Sequence, residues 1–393
     1  MNIGIIVDNE FDNDHRVQKE LGLLLEEGHN IYVLCFDFNN PYKTYNNIKV
    51  TRIKIHKRLK DLLVLLSTNF RFYELLWQKN ITKFINENKL DAIHVHDLYM
   101  AKAAKKGIKK SMLDVSFTLD LHENYPAAIN SYLWATKGWR QYIVQPKKWY
   151  NKEEEYLKYA DNIIVLSNSF KENLKERIHT LKTTPIYVHP NMPDIESFQA
   201  FEKDDFPVEF NPPTTTLFYF GVVAKRRGII DILPWIIKLL EEGKQFHTLI
   251  IGPVDKADKA HFNSYLSHQI LKKNITYIPW SDVKYLPSYL KKISIGLAPF
   301  EVNAQHDSGV ANKLFQYMYG EIPILATKSK AQKDLIETAE CGLLYETQND
   351  FNKQLSKLLD NPKLRSQLGA NGRKRLLELY RQNVDKQFLE IYK

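Results

Sequence analysis

Two successive series of short apolar runs leave this chain few folds to choose from, because each run ends in a polar loop and is followed by a helix-length stretch. The first series opens with Ile3 to Val7, and residues 14 to 27 follow with Val17, Leu21, Leu24 and Leu25 near one face. Gly28 marks a helix stop, and Ile31 to Phe36 is the next run. Asp91 to Val95, Val115 to Leu121, Ile163 to Leu166 and Ile186 to His189 continue it. A second series starts afresh at Thr216 to Phe220 and runs through Leu249 to Gly252, Ile275 to Ile278, Ile293 to Ala298 and Ile322 to Ala326. Between the two, Glu202-Lys203-Asp204-Asp205 and Pro207, Pro212 and Pro213 change the character of the chain. The pattern predicts an α/β chain with two Rossmann-like domains, residues 1–195 and 214–370, facing an interdomain cleft. Residues 196–213 read as a linker. The end reads as helices over 349–359, 362–368 and 371–391, with 371–393 a closing segment that has Phe388, Ile391 and Tyr392 on its apolar face.

Composition narrows the function classes. The chain has 393 residues and is 44% hydrophobic and 26% charged, which is ordinary for a globular protein with two cores. Cys35 and Cys341 are its two cysteines, with no CxxC and no zinc spacing, so a disulfide framework is excluded and buried thiols are expected. Met1 leads straight into a strand-like run, and no apolar run approaches the ~18 to 20 residues that cross a bilayer. The expectation is a cytoplasmic protein without a signal peptide, peripheral on the inner face of the plasma membrane. A net charge of +9 favours anionic partners. No zinc spacing and no RNP-like aromatic signature are present, so nucleic acid is not the expected one.

The stretch His306-Asp307-Ser308-Gly309-Val310-Ala311-Asn312-Lys313-Leu314-Phe315-Gln316-Tyr317-Met318 reads as a loop feeding a helix, with Gly320 at the expected C-cap. Asp307 and Ser308 suit helix N-caps, and Gly309 permits close approach of backbone to a ligand. Leu314, Phe315 and Met318 share an apolar face. A glycine-bearing loop at a helix N-terminus is an anion site, because free amides and the helix dipole point outward together. Lys313 adds a cation in the first turn. A nucleotide diphosphate is expected here, the alternative being an αβ unit that binds nothing.

The loop after the first run, Asp8 to Asp14, contains no glycine, so a dinucleotide fingerprint G-x-G-x-x-G is absent where it would stand. Asp12-Asn13-Asp14 matches an acidic D-x-D triplet. Such residues are common in loops and caps, and the triplet sits at the first βα turn, so no metal is assigned to it. Strand C-termini are where ligands collect in open α/β sheets, which brings forward His96, Asp97, His122 and Glu123. Residues 55–87 and 137–150 interleave Leu, Phe, Trp and Tyr with Lys and Arg, a pattern of core helices with a basic fringe that also suits an anionic lipid surface.

Taken together, these pieces resemble the GT-B glycosyltransferases, and more narrowly the retaining family four of nucleotide-sugar glycosyltransferases. Asp14-His15-Arg16-Val17 with Glu26-Glu27-Gly28-His29 resembles that family's opening helix and Gly-His turn. His96-Asp97 and Asp120-Leu121-His122-Glu123 look like its two N-domain strand ends, and Pro190-Asn191 the turn before its linker. Gly221 through Arg227-Gly228 looks like its basic phosphate loop, and Asn312 to Met318 is similar to its donor-site helix. The family's two donor-site glutamates, seven residues apart, have Ser308 and Gln316 as their counterparts, and its glycine-rich first loop is missing.

The resemblance implies transfer of a hexosyl or N-acetylhexosaminyl unit from a nucleoside diphosphate sugar, a UDP-sugar first, to a hydroxyl of a glycan or lipid-linked acceptor. It implies retention of configuration, a place in cell-surface polysaccharide or glycolipid assembly, no metal and no cofactor. His122, Lys313 and Arg227 take the catalytic positions. Gly221, Lys225, Asp307, Ser308, Gly309, Val310, Ala311, Asn312, Leu314 and Gln316 line the donor. Asp14, Arg16, Asp97 and Glu123 fall on the acceptor side. The closing helix is expected to brace the N-domain. A GT-B epimerase of UDP-sugars and a non-catalytic scaffold subunit are the alternatives.

Overall fold

The structure is a computed structural model that describes all residues except Asn13, Asp205, Pro213, Gln382 and Asn383. The middle residue of the acidic triplet and two residues of the expected linker therefore lie outside the described residues. The chain divides into two compact units, one made of residues 1–190 and 384–393 and the other of residues 191–383.

Unit 1 contains strands β1 (Asn2–Ile6), β2 (Asn30–Asp37), β3 (Ile48–Lys54), β4 (Ala92–His96), β5 (Ser116–Asp120), β6 (Asn162–Val165) and β7 (Ile186–Val188). They form one parallel sheet in the order β3-β2-β1-β4-β5-β6-β7. Burial on both faces explains the β-branched runs: every residue of β4 is buried. One face packs Trp77, Phe84 and Phe117 in a large apolar cluster. The other packs Ile3, Ile5 and Val33 against Val17 and Leu21 of the helix His15–Glu26.

Unit 2 contains β8 (Thr216–Phe220), β9 (His247–Ile251), β10 (Ile275–Ile278), β11 (Ile295–Ala298), β12 (Ile324–Thr327) and β13 (Gly342–Tyr345), in the order β10-β9-β8-β11-β12-β13, again all parallel. Its core gathers Ile229, Leu233 and Ile236 of the helix Ile229–Glu241 with Leu217, Leu297 and Leu325 of the strands. The strand order reverses between β1 and β4 in unit 1 and between β8 and β11 in unit 2. Those two reversals are the points where an open sheet leaves a crevice beyond its strand ends.

Two boundaries differ from the expected ones. Residues Ile195–Asp204 form a helix inside the stretch read as a linker, and that helix belongs to unit 2. Ile195 and Phe198 are buried, Phe198 meeting the Tyr319 ring edge-on at 5.2 Å, so apolar packing overrides the prolines and charges around it.

The end of the chain also divides elsewhere. Pro362–Arg381 is one helix of unit 2, continuous through residues 369 and 370, where a break was expected, and through Gly372. A Cβ on Gly369 would collide with the Glu321 carbonyl, and one on Gly372 would crowd the Cys341 side chain at 3.1 Å. The glycines are there for close packing rather than as helix stops. Only residues 384–393 join unit 1, where Phe388 and Tyr392 are buried against the sheet. Asp385 fastens them, meeting Lys19 Nζ at 2.9 Å and His189 Nε2 at 3.2 Å. Both cysteines are free and buried. No described helix is long and apolar enough to cross a membrane.

Candidate active site

In unit 2 the reversal point is lined by the residues after β8 and β11 and by the helix Asn312–Tyr319. Tyr317 seats that helix: its hydroxyl lies 3.2 Å from the Phe218 carbonyl and 3.3 Å from the Leu297 carbonyl, touching both strands. Gly296 opposite has no side chain because the Tyr317 ring occupies the space. The helix start faces the crevice with no side chain capping it. Ala311 is the N-cap and Gly309 is extended. Val310 and Ala311 are half-buried, so the backbone there is close to the surface of the crevice.

Lys313 projects from the first turn into an apolar cage. Its ammonium stands 3.4 Å from the centroid of the Tyr219 ring and 5.0 Å from that of Phe300. It is buried and has no hydrogen-bond partner. Burial, reinforced by the neighbouring Arg227, drives its pKa well below the usual lysine value. Arg227 also lies over the Phe300 ring, 5.4 Å from its centroid. A Cβ on Gly221 would sit 3.5 Å from Lys313 Nζ, so glycine keeps the space beside the ammonium open. Gly228 closes the Lys225–Arg227 turn at φ +72°, and any Cβ there would collide with the Pro299 carbonyl.

The remaining expected donor residues divide by role. Asn312 is half-buried and its side-chain oxygen has no partner, whereas Gln316, one turn further along the helix, is buried. Leu314 is fully buried and packs. Lys225 is exposed, its amide held by Asp258 Oδ2 at 2.8 Å. Asp307 and Ser308 do not cap the helix that follows them. Asp307 Oδ1 accepts from the Lys330 amide at 2.6 Å, and Ser308 Oγ donates to the Ala304 carbonyl at 2.6 Å, because a short 3-10 turn over His306–Ser308 puts both residues before the N-cap. His306 Nδ1 meets the Glu301 carbonyl at 2.6 Å, and burial lowers its pKa to about 4, so its ring is neutral.

In unit 1 the strand ends carry a buried polar network. Arg16 grips Asp120 with two hydrogen bonds of 2.9 Å and donates a third to the His189 carbonyl at 2.9 Å. Arg16 therefore holds the sheet end rather than presenting its charge at the surface. Burial pushes Asp120 up, but Arg16 outweighs it and holds the carboxyl well below its usual range. His122 Nε2 lies 2.6 Å from His96 Nδ1 and 3.3 Å from Asp120 Oδ2. Burial disfavours its charged form, yet Asp120 prevails and the pKa rises to about 9. Asp14 is engaged as the N-cap of His15–Glu26, accepting the Arg16 and Val17 amides at 3.2 Å each, which accounts for its place in the sequence without a ligand. Asp12 binds Arg52 at 2.9 Å. Asp97, at φ +73°, accepts from the Tyr99 hydroxyl at 3.1 Å, and Glu123 from that of Tyr132 at 3.3 Å.

Sequence reading missed Asp8, Glu20, His94 and His189. Asp8, after β1, is buried beside the Tyr73 hydroxyl at 2.5 Å, with Lys60 at 3.4 Å. Burial, opposed in part by Lys60, raises its pKa to about 6. The two-residue spacing of His94 and His96 on a strand did put both on one face, which is the signal that could have found the cluster.

Unit 1 also joins the two basic, aromatic segments. Thr68 Oγ1 donates to the Val144 carbonyl at 2.9 Å and Asn69 Nδ2 to that of Ile143 at 2.6 Å. Phe70, Phe72, Trp139 and Tyr142 are all more than half exposed. Lys57, Arg58, Lys137, Arg140, Lys147 and Lys148 are exposed on the same two segments.

Comparison with known proteins adds the family. Residues 20–197 match the family model described as Glycosyltransferase Family 4, and residues 200–375 match that of Glycosyl transferases group 1. The capsular polysaccharide biosynthesis glycosyltransferase CapM of Staphylococcus aureus is 24% identical over 161 residues, 40% of each chain. An uncharacterized protein in the cps region of Klebsiella pneumoniae is 25% identical over 70% of each chain. The sucrose-phosphate synthase of Thermosynechococcus elongatus superposes with a TM-score of 0.75 at 14% identity, over 100% of this chain and 98% of that one. A trehalose-6-phosphate protein of E. coli bound with UDP-2-fluoro glucose gives 0.72 at 11%, over 100% and 98%. At such identities the structural likeness speaks for the fold alone, and the two family models carry the assignment. With those models covering both halves and a two-sheet architecture shared along the whole chain, the protein belongs to the GT-B glycosyltransferases of the family-four type.

Proposed function

We propose that this chain transfers a glycosyl unit from a nucleoside diphosphate sugar, a UDP-sugar in the first instance, to a hydroxyl of a glycan or lipid-linked acceptor in cell-surface polysaccharide or glycolipid assembly. The observation that carries this reading is the Lys313 ammonium, buried without an acceptor at the mouth of an uncapped helix. A diphosphate supplies the missing negative charge, and Arg227 and the amides around Gly309 to Asn312 add donors for it.

Breaking the bond from the sugar C1 to the β-phosphate oxygen leaves charge on the diphosphate. Lys313, Arg227 and the helix dipole stabilise that charge as it develops, with no metal at the phosphates. The acceptor oxygen bonds to C1 from the face the diphosphate leaves, and its proton passes to the departing phosphate oxygen, giving retention. His122 orients the reacting groups, and Asp97 and Glu123 line the acceptor side. The capsular relative and the UDP-sugar held by a structural neighbour support the polysaccharide and donor parts of this reading.

The exposed aromatic and basic surface of unit 1 suits an acceptor carried on an anionic membrane. Release of UDP or GDP from a panel of nucleotide sugars, with and without acceptor, tests the proposal. Turnover of a UDP-sugar that falls at least 100-fold in Lys313→Ala supports it, and unchanged turnover overturns it. An epimerase would convert donor with no acceptor and release no nucleotide. A scaffold would gain no thermal stability from UDP or any UDP-sugar.

A further inference from the structure

Four side chains from three elements of unit 1 converge where solvent does not reach: Glu20 on the helix His15–Glu26, His94 and His96 on β4, and Asp120 at the end of β5. Each is at most 1% exposed. One nitrogen or oxygen from each lies within 4.8 Å of the others. Three of the atoms facing this space, Glu20 Oε2, His94 Nε2 and His96 Nε2, have no hydrogen-bond partner. Glu20 Oε2 is 3.5 Å from His94 Nε2 and 3.9 Å from His96 Nε2, and His94 Nε2 is 3.7 Å from Asp120 Oδ2. These gaps are too long for direct hydrogen bonds, and an unmet polar atom in such a place is costly.

The gaps have the size of a metal's coordination sphere. A point centred among atoms 3.5 to 3.9 Å apart lies roughly 2.3 Å from each, so side-chain shifts of a few tenths of an ångström reach the ~2.0 to 2.2 Å of a zinc bond to histidine nitrogen or carboxylate oxygen.

The far atoms of Glu20, His94 and His96 are already held, as outer-shell partners hold metal ligands, while both oxygens of Asp120 accept from Arg16 at 2.9 Å. Glu20 Oε1 meets Arg16 Nε at 3.2 Å and His189 Nδ1 at 3.0 Å. His94 Nδ1 bonds the Tyr392 hydroxyl at 2.5 Å, and His96 Nδ1 meets His122 Nε2 at 2.6 Å. Two carboxylates face the single guanidinium of Arg16, which engages Glu20 through Oε1 and leaves Oε2 to the space. A set of two nitrogens and two oxygens, closed to water, suits a first-row dication, zinc before others, and does not suit magnesium or calcium.

We propose that Glu20, His94, His96 and Asp120 bind one such divalent cation. It would tie the first helix to β4 and β5 and, through His189 and Tyr392, to the closing segment. The cation is structural and sits in unit 1 on residues that also contact His122, whereas the diphosphate is assigned to Lys313 in unit 2, so metal content and Lys313-dependent turnover test the two readings separately.

The full chain, stripped with a chelator and reloaded with Zn²⁺ or Co²⁺, tests this by metal content after gel filtration and by the intense visible absorption of four-coordinate Co²⁺. The expected result is one ion per chain and a thermal midpoint raised by roughly 5 °C or more. His94→Gln and His96→Gln, which keep size and polarity, should each weaken zinc retention at least tenfold. Less than a tenth of an equivalent of Zn²⁺, Co²⁺ and Mn²⁺ on the unaltered chain, with an unmoved midpoint, overturns the site whatever the variants do. Equal retention by the double variant overturns it too.

Discussion

Lys313 holds its ammonium 3.4 Å from the centre of the Tyr219 ring, inside unit 2, with no oxygen to receive its protons. A cation over an aromatic face gains about 0.5 to 2 kcal/mol. Burial, with the nearby Arg227, holds its pKa well below the usual lysine value, so the charged form is disfavoured where it stands. The unliganded protein therefore carries a site that is destabilising until an anion arrives.

The first prediction follows from that imbalance. Lys313→Met removes the buried charge and keeps the packing, so it should raise unfolding stability by about 1 to 3 kcal/mol. The same change should abolish stabilisation by UDP. Urea unfolding with and without UDP checks both, and a variant less stable than the parent would refute the account.

Gly228 is predicted to tolerate no side chain. Its φ of +72° and the Pro299 carbonyl in the Cβ position act together, so Gly228→Ala should cost about 2 to 4 kcal/mol. Because the Lys225–Arg227 turn ends on this residue, UDP affinity should fall with it. Calorimetry would show a loosened turn as a higher Kd with unchanged stoichiometry.

Asp8 predicts a pH dependence. Its folded pKa of about 6 lies above the unfolded value of 3.8, so the folded state keeps a proton that the unfolded state releases. Stability from this group is whole below pH 3.8 and is lost as pH rises through 6, a loss of about 3 kcal/mol at 1.36 kcal/mol per pKa unit. Asp8→Asn cannot ionise. Unfolding free energies of parent and variant at pH 4 and pH 7 should diverge in favour of the variant at the higher pH. Parallel profiles would show that Asp8 is not the cause.

The surface of unit 1 predicts lipid binding. Phe72→Glu with Trp139→Glu removes two exposed rings, and Lys137→Glu with Lys148→Glu reverses two charges, each basic side chain contributing about 1 kcal/mol near an anionic leaflet. Both pairs should reduce co-sedimentation with phosphatidylserine vesicles at least tenfold, while release of UDP from a soluble donor stays unchanged. Equal binding to neutral vesicles would argue against the electrostatic part.

Gly369 sets two effects against each other. In a free helix, Gly→Ala gains about 1 kcal/mol. Here the Glu321 carbonyl occupies the Cβ position, so Gly369→Ala should lower stability despite the better propensity. A rise in the thermal midpoint would reverse that ranking.

What could be read along the chain was what depends on neighbours in sequence. The β-α alternation, the reversal of series near residue 200, the helix carrying Lys313 and the polar strand ends follow from local periodicity and turn chemistry. Misread features have a common cause in contacts made far along the chain. Asp307 and Ser308 suit N-caps by residue type, yet one is drawn to the Lys330 amide and the other to the Ala304 carbonyl. Gly369 suits a helix stop, yet it is a packing surface. Arg16 and Asp14 suit a ligand loop, yet Asp120 and the helix start claim them.

By itself, then, the order of residues determined two α/β units, a basic anion-seeking loop and a cationic helix start, because hydrophobic period and backbone propensity are local. Only the tertiary structure decided which buried polar groups meet and which are left without a partner. Glu20, His94, His96 and Asp120 come from three separate segments, and the cage around Lys313 is built from Tyr219 and Phe300, ninety-four and thirteen residues away. Whether a buried charge finds a partner depends on three-dimensional neighbours, and no window of sequence contains them.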